Sequence, residues 1–139
     1  MSESLQHEGY HFPRELKYSE KHSWVKRLTD NRVRVGITDF AQKKLKAVVY
    51  IEPPQVGTQV KAGDLLATLE SVKAVGEVYA PLEGRVVAYN ELLDDDPGLV
   101  NRDPYGAGWI VELEVNNPAD LDKLLSAEEY VKRVIERGG

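Results

Sequence analysis

Residues 55–90, QVGTQVKAGDLLATLESVKAVGEVYAPLEGRVVAYN, hold three short apolar runs and four glycines. Leu65–Leu69, Gly76–Ala80 and Arg85–Tyr89 each have the length of a strand, while Gly57, Gly63 and Pro81–Gly84 stand where the chain must bend. Short strands spaced about 8–12 residues apart with Gly/Pro punctuation predict a small β-sandwich or flattened barrel. The stretch is also a loose repeat. Val60-Lys61-Ala62-Gly63-Asp64 leads a strand toward Lys73, and Ala80-Pro81-Leu82-Glu83-Gly84 leads one away. Lys73 falls between the halves, at the connection rather than on a buried face.

Outward from this centre the strand pattern continues. Trp24–Leu28 and Arg32–Ile37 flank the turn cluster Thr29-Asp30-Asn31, and the second run alternates apolar with basic residues, the period of a half-buried strand. Together they predict a hairpin. Thr38-Asp39 offers a helix N-cap, Asp39 with Gln42 has capping-box spacing, and Phe40–Leu45 supplies about two turns of short amphipathic helix. Val48–Ile51 reads as a strand stopped by Pro53-Pro54.

Beyond Asn90, Leu93–Gly98 and Asn101–Gly106 are acidic, turn-rich and expected to be loops, and Trp109–Val115 reads as a strand with Glu112 and Glu114 on one face. Asn117-Pro118 starts a helix, and Ser126 with Glu129 opens another from Ala127 to Arg137. Residues 1–13 are polar and without period, and read as a tail or short docking arm. The expected organisation is an N-terminal arm, residues 1–15, and a single domain, residues 16–139.

Composition narrows the function. A chain of 139 residues has one domain's worth of material and can bury a core without staples. A net charge of −5 with scattered cations argues against a nucleic-acid or anionic-membrane partner. The absence of cysteine rules out disulfides, thiolate metal sites, a cysteine nucleophile and any thiol redox pair of the chain's own. The N-terminus has neither the basic start nor the apolar core of a signal peptide, and no window approaches the roughly 18 apolar residues of a membrane span, so a cytoplasmic location is expected.

His7, His11 and His22 all lie near the N-terminus and need outside help to hold a metal; no metal site is expected. Asp94–Asp96 lack the spacing of an EF-hand loop, which leaves a solvated turn. No phosphate loop and no nucleophile elbow is present, so the chain reads as a non-catalytic partner rather than an enzyme.

Lys73 remains. Glu70-Ser71-Val72-Lys73-Ala74 resembles the lipoylation site of the glycine cleavage system H proteins. The resemblance continues in order through residues 35–42, Tyr79-Ala80-Pro81, residues 95–101, Asp103-Pro104-Tyr105-Gly106 with Gly108-Trp109, and Ala127-Glu128-Glu129-Tyr130, so that it spans about Leu16 to the C-terminus. It implies a mainly β fold, the lipoyl/biotinyl-type barrel-sandwich hybrid, with a short helix after the first hairpin and C-terminal helices. It also implies lipoate amide-linked to Lys73, with Glu70 and Gly84 helping the lipoylating enzyme to recognise the hairpin.

The same resemblance implies a carrier that shuttles an aminomethyl group from glycine decarboxylase to an aminomethyltransferase, and whose arm a dihydrolipoyl dehydrogenase reoxidises. A thiol-free chain suits that role, because the cofactor brings the dithiol and tethering raises its effective concentration at each partner.

Departures from the family pattern bear on the cargo. His22-Ser23-Trp24 stands where the family usually reads His-Glu-Trp, which removes a carboxylate suited to a cationic amine near the folded-back arm. Lys46-Ala47 replaces a Gly-acid pair, and the N-terminal arm is longer than usual. In these respects the chain resembles H-like lipoate-binding proteins of heterodisulfide-reductase-like sulfur oxidation, the alternative pathway. A biotinyl carrier expects Met on both sides of the lysine, whereas Val72 and Ala74 stand here and the only Met is Met1. A module that kept the fold and lost the cofactor is the remaining alternative.

Overall fold

The structure is a computed structural model that describes residues 3–138. The chain runs β1 (Ser4–His7), β2 (Tyr10–Pro13), β3 (Lys17–Tyr18), β4 (Ser23–Arg27), β5 (Arg32–Ile37), α1 (Asp39–Leu45), β6 (Val48–Glu52), β7 (Gln59–Val60), β8 (Leu65–Ser71), β9 (Val75–Tyr79) and β10 (Gly84–Tyr89). It continues through α2 (Leu92–Asp95), α3 (Leu99–Arg102), β11 (Val111–Val115), a 3-10 helix at Pro118–Lys123, and α4 (Ala127–Tyr130), which runs on into a π-helical turn at Val131–Ile135. A six-stranded sheet in the order β3-β4-β5-β11-β10-β7 faces a three-stranded sheet in the order β6-β8-β9, and β1 pairs with β2 as a separate ribbon. The expected mainly β sandwich with a short helix after the first hairpin is the observed architecture.

The alternating run of β5 shows how the larger sheet is built. Val33 and Val35 are fully buried, while Arg32 and Arg34 on the opposite face close on Glu112 of β11, with Arg34 Nη2 2.8 Å from Oε2 and Arg32 Nη2 2.7 Å from Oε1. Burial raises the Glu112 pKa, but the hydrogen bonds and charges of the two arginines outweigh it and hold the carboxyl below its ordinary value. Valines from β5, β10 and β11 meet Ile51, Leu66, Leu69 and Val78 of the smaller sheet to form the main core. A second, aromatic core gathers Phe12, Tyr18, Trp24, Phe40 and Tyr130 on the other side of β3 and β4. Trp24 donates from Nε1 to Pro104 O at 2.9 Å, which satisfies its buried N–H.

Five sequence expectations change. Residues 4–13 are not an unpatterned tail: Ser4↔Pro13 through His7↔Tyr10 pair as a ribbon, turned at Glu8 and Gly9, both with positive φ. Phe12 is fully buried in the aromatic core, Leu5 and Tyr10 pack beside it, and the His11 N–H donates to Asp39. The α1 cap is Thr38, whose Oγ1 accepts from Ala41 N–H, while Asp39 sits inside the helix and accepts from Gln42 Nε2 at 2.8 Å.

The two acidic stretches after Asn90 contain single helical turns, α2 and α3, each nailed to the core by one side chain, Leu93 and Val100. The Asn117-Pro118 start yields a 3-10 helix. The Ser126/Glu129 capping box forms as expected, but after Tyr130 the helix widens, with Glu136 N–H reaching Val131 O at 2.9 Å.

Candidate functional site

β8 and β9 form a hairpin whose register, Glu70↔Val75 and Leu69↔Gly76, leaves Ser71–Ala74 as the tip. Ser71 locks the tip from within. Its N–H donates to Ala74 O at 2.8 Å, and its Oγ donates to the same carbonyl while accepting from the N–H groups of Lys73 and Ala74 at 3.2 and 3.0 Å. The tip is also tied to the body of the protein, because Val72 N–H donates to Ala47 O at 3.1 Å, in the loop between α1 and β6. Lys73 is exposed between Val72 and Val75, which are 70% and 64% exposed. Two valines left this far in water beside one lysine make a surface suited to being gripped.

The other sequence-predicted residues separate. Glu70 lies on the outer face of the same hairpin, exposed, in one cross-strand row with Tyr50 and Val75. Gly84 is buried in β10 of the opposite sheet, between Val60 and Val115. A Cβ there would stand 2.4 Å from Glu114 O, so glycine is required by the close approach of the β11 main chain. Ser71, Ala47 and Asn101 were assigned no role by sequence reasoning, although all three shape the tip. Ser71 was legible as a turn residue; Ala47 acts through its carbonyl and Asn101 through its side-chain amide, both in long-range contacts that no pattern encodes.

Helix α1 separates two clefts. The larger, about 940 Å³, holds Lys73 together with Lys43, Lys44 and Lys46, Arg102 of α3, and Glu8 and Tyr10 of the β1–β2 ribbon. The smaller, about 480 Å³, runs along the free edge of β9 and is lined by Ile37, Phe40, Leu45, Leu69 and Gly76, with Lys21, His22, Lys44 and Glu77 at its polar margin. Both volumes fall in the range of small-molecule sites.

The side chains around α1 are firmly held. Asp39 accepts from His11 N–H at 3.1 Å and pairs with Lys43 Nζ at 3.2 Å. Burial acts to raise its pKa, and the hydrogen bonds from Gln42, His11 and Lys43 reverse this, leaving it below the ordinary carboxylate value. Lys43 Nζ also donates to Gly9 O at 2.9 Å, which fastens the ribbon turn over the helix. His22, at positive φ, stacks on Phe40 and is hydrogen-bonded through Nδ1 to the Tyr130 hydroxyl. Ser23, at the position where a glutamate was expected from the resemblance, is fully buried, and its Oγ has no hydrogen-bond partner among the described residues.

Comparison with known proteins agrees with this geometry. Residues 16–137 match the family model described as "Glycine cleavage H-protein". The "Glycine cleavage system H protein" of Carboxydothermus hydrogenoformans is 50% identical over 126 residues, 91% of this chain and 96% of that one. The "Probable glycine cleavage system H protein" of Aeropyrum pernix is 48% identical over 124 residues, 89% of this chain and 86% of the relative. A crystal structure of a glycine cleavage system H protein from Mycobacterium marinum superimposes with a TM-score of 0.79 at 35% identity, covering 88% of this chain and 98% of that one. With nearly its whole length matched, and its lysine at the tip of a hairpin of the smaller of two facing sheets, the chain belongs to the glycine cleavage H-protein family.

Proposed function

We propose that the chain is the lipoyl carrier protein of the glycine cleavage system, with lipoate amide-linked to Lys73 Nζ. The observation that carries this reading is the exposed lysine at a hairpin tip that Ser71 holds from within. The smaller cleft fits an acylated lysine folded back along the hairpin. It is walled by aliphatic and aromatic side chains, and Gly76 keeps it open, since a Cβ there would stand 3.2 Å from the Leu45 side chain. Gly76 lies only about 10 Å of strand from Lys73, within the length of a lysine carrying a medium-chain acyl group.

Lipoate supplies the disulfide that takes up an aminomethyl unit, chemistry that a chain without cysteine does not possess. The protein's own residues position and shield. Lys73 provides the amide nitrogen and Ser71 fixes its direction. Glu77 is the one carboxylate lining the smaller cleft among the described residues, and it accepts from Tyr79 O–H at 2.8 Å, so a cationic amine arriving there pairs with Glu77.

Glu70 and the exposed valines present the hairpin to the lipoylating enzyme, while Gly84 contributes through the close main-chain packing that sets the opposite sheet. Glycine decarboxylase, the aminomethyltransferase and dihydrolipoyl dehydrogenase are the partners of this reading, in which the chain is a non-catalytic carrier. No helix among the described residues is long and apolar enough to cross a membrane, and a cytoplasmic location belongs to the same proposal.

One observation favours a second reading. Ser23 is buried and lines neither cleft, so no acid from that position reaches the arm, and Lys21 and Lys44 outnumber Glu77 at the smaller cleft. A carrier serving another pathway, such as heterodisulfide-reductase-like sulfur oxidation, suits that charge balance.

Intact mass after treatment with a lipoate ligase, followed by glycine–bicarbonate exchange with glycine decarboxylase, separates the readings. A lipoyl mass shift absent in Lys73→Ala, with exchange, is the expected result. A shift without exchange selects the second reading, and no shift removes the carrier role altogether.

A further inference from the structure

The segment Asp95–Asn101 enters the family resemblance without a role, and its last residue lines the same cleft as Lys73. Asn101, presented by α3, places its side-chain amide in the loop between α1 and β6. Its Oδ1 accepts from Val48 N–H at 2.9 Å, and its Nδ2 donates to Lys46 O at 2.8 Å and to Gln42 Oε1 at 3.0 Å. These three bonds bracket Ala47. Lys46 has a φ of 68°, a left-handed conformation unfavourable for a side-chain-bearing residue, so the loop keeps its course only while something external holds it. The Ala47 carbonyl it presents is the acceptor for Val72 N–H, the tie from the lysine tip to the body outside its own hairpin.

We propose that Asn101 is the positioning residue for the modified lysine: by holding Lys46 O and Val48 N–H it aims the Ala47 carbonyl at Val72 and so sets the direction of the Lys73 turn for the enzymes that must grip it. The inference rests on the carrier reading for its consequence, but not for its geometry. The chain of contacts runs from α3 through one loop to the tip. Val100, fully buried beside Asn101, fixes the starting point of that chain in the main core. The link is specific for an amide. Aspartate would keep the acceptor toward Val48 and set a carboxylate oxygen against the Lys46 and Gln42 oxygens; alanine would release all three partners.

Amide hydrogen exchange on the apo protein tests the geometry without reference to lipoylation. In the unaltered chain the Val72 and Val48 amides exchange more slowly than an open loop. In Asn101→Ala and Asn101→Asp, Val72 exchange accelerates by roughly tenfold, the weight of one ordinary hydrogen bond, while Leu113 in β11 is unchanged. Lipoylation of Lys73 by a lipoate ligase then loses roughly tenfold in kcat/KM in the same variants, carried mainly by KM.

Val72 exchanging at the open-loop rate in the unaltered protein overturns the proposal whatever the variants do. So does equal acceleration at Val72 and Leu113, the mark of general destabilisation. An unaltered protein that shows the tie but takes up no lipoate leaves Asn101 as the holder of the tip and removes the carrier reading instead.

Discussion

Gly36 faces Trp24 across β4 and β5, and a Cβ built on it would stand 2.6 Å from the indole ring. The indole is fully buried, and its Nε1, among the atoms nearest Gly36, already donates to Pro104 O, so moving the ring away strains that hydrogen bond. Gly36→Ala is therefore an overpacking substitution that costs about 1–3 kcal/mol, and calorimetry should show Tm lower by roughly 3–10 °C. An unchanged Tm would mean that the ring has room to shift.

Lys73 belongs to the same scale and is plain in the sequence, where a lysine between two apolar strand runs, flanked by turn chemistry, stands out from the scattered surface cations. Gly84 did not explain itself in the same way. Its reason is the Glu114 carbonyl of a strand about thirty residues further on, which only the register of β10 on β11 reveals.

The elements that escaped a reading by periodicity are four residues long, too short to show a period. The β1–β2 ribbon shows alternation only at Tyr10 and Phe12, with Leu5 opposite; Phe12 packs edge-on to Tyr130 at 5.4 Å and to Tyr18 at 6.2 Å, and Tyr10 meets Phe40 at 5.0 Å. Phe12→Ala should cost about 3–5 kcal/mol, as for a fully buried aromatic ring. Urea unfolding monitored by circular dichroism measures it, and a loss below about 1 kcal/mol would show the ribbon to be peripheral to the fold.

Strands β4, β5, β6, β8, β9 and β10 were legible to within a residue or two, β5 by its alternation of valine with arginine and the others as short apolar runs bounded by Gly, Pro and Asn/Asp turns. The short helices α2 and α3 were not, since four residues around one buried Leu93 or Val100 give no period to read.

At the scale of the whole molecule, two buried carboxylates link distant parts of the chain. Asp39 joins α1 to the ribbon through His11, and Glu112 joins β11 to β5 through two arginines. Both have pKa values lowered by folding, from ordinary values of 3.8 and 4.5. The stability they contribute is fully present above those ordinary values and is lost as pH falls through the lower folded-state ones. Urea midpoints should therefore hold steady down to about pH 5 and fall steadily below about pH 4. Glu112→Gln should flatten part of that fall, and a midpoint independent of pH down to about 3 would contradict the pairing.

The tie between Val72 and Ala47 has a kinetic side. A single net hydrogen bond of about 0.5–1.5 kcal/mol is broken roughly 7–30% of the time. The lysine tip thus alternates between an aimed majority and a loose minority. On the proposed carrier reading, an arm that must be presented in one direction to the enzyme that attaches its cofactor, and then visit several different active sites, is served by both populations: the first for capture, the second for turning.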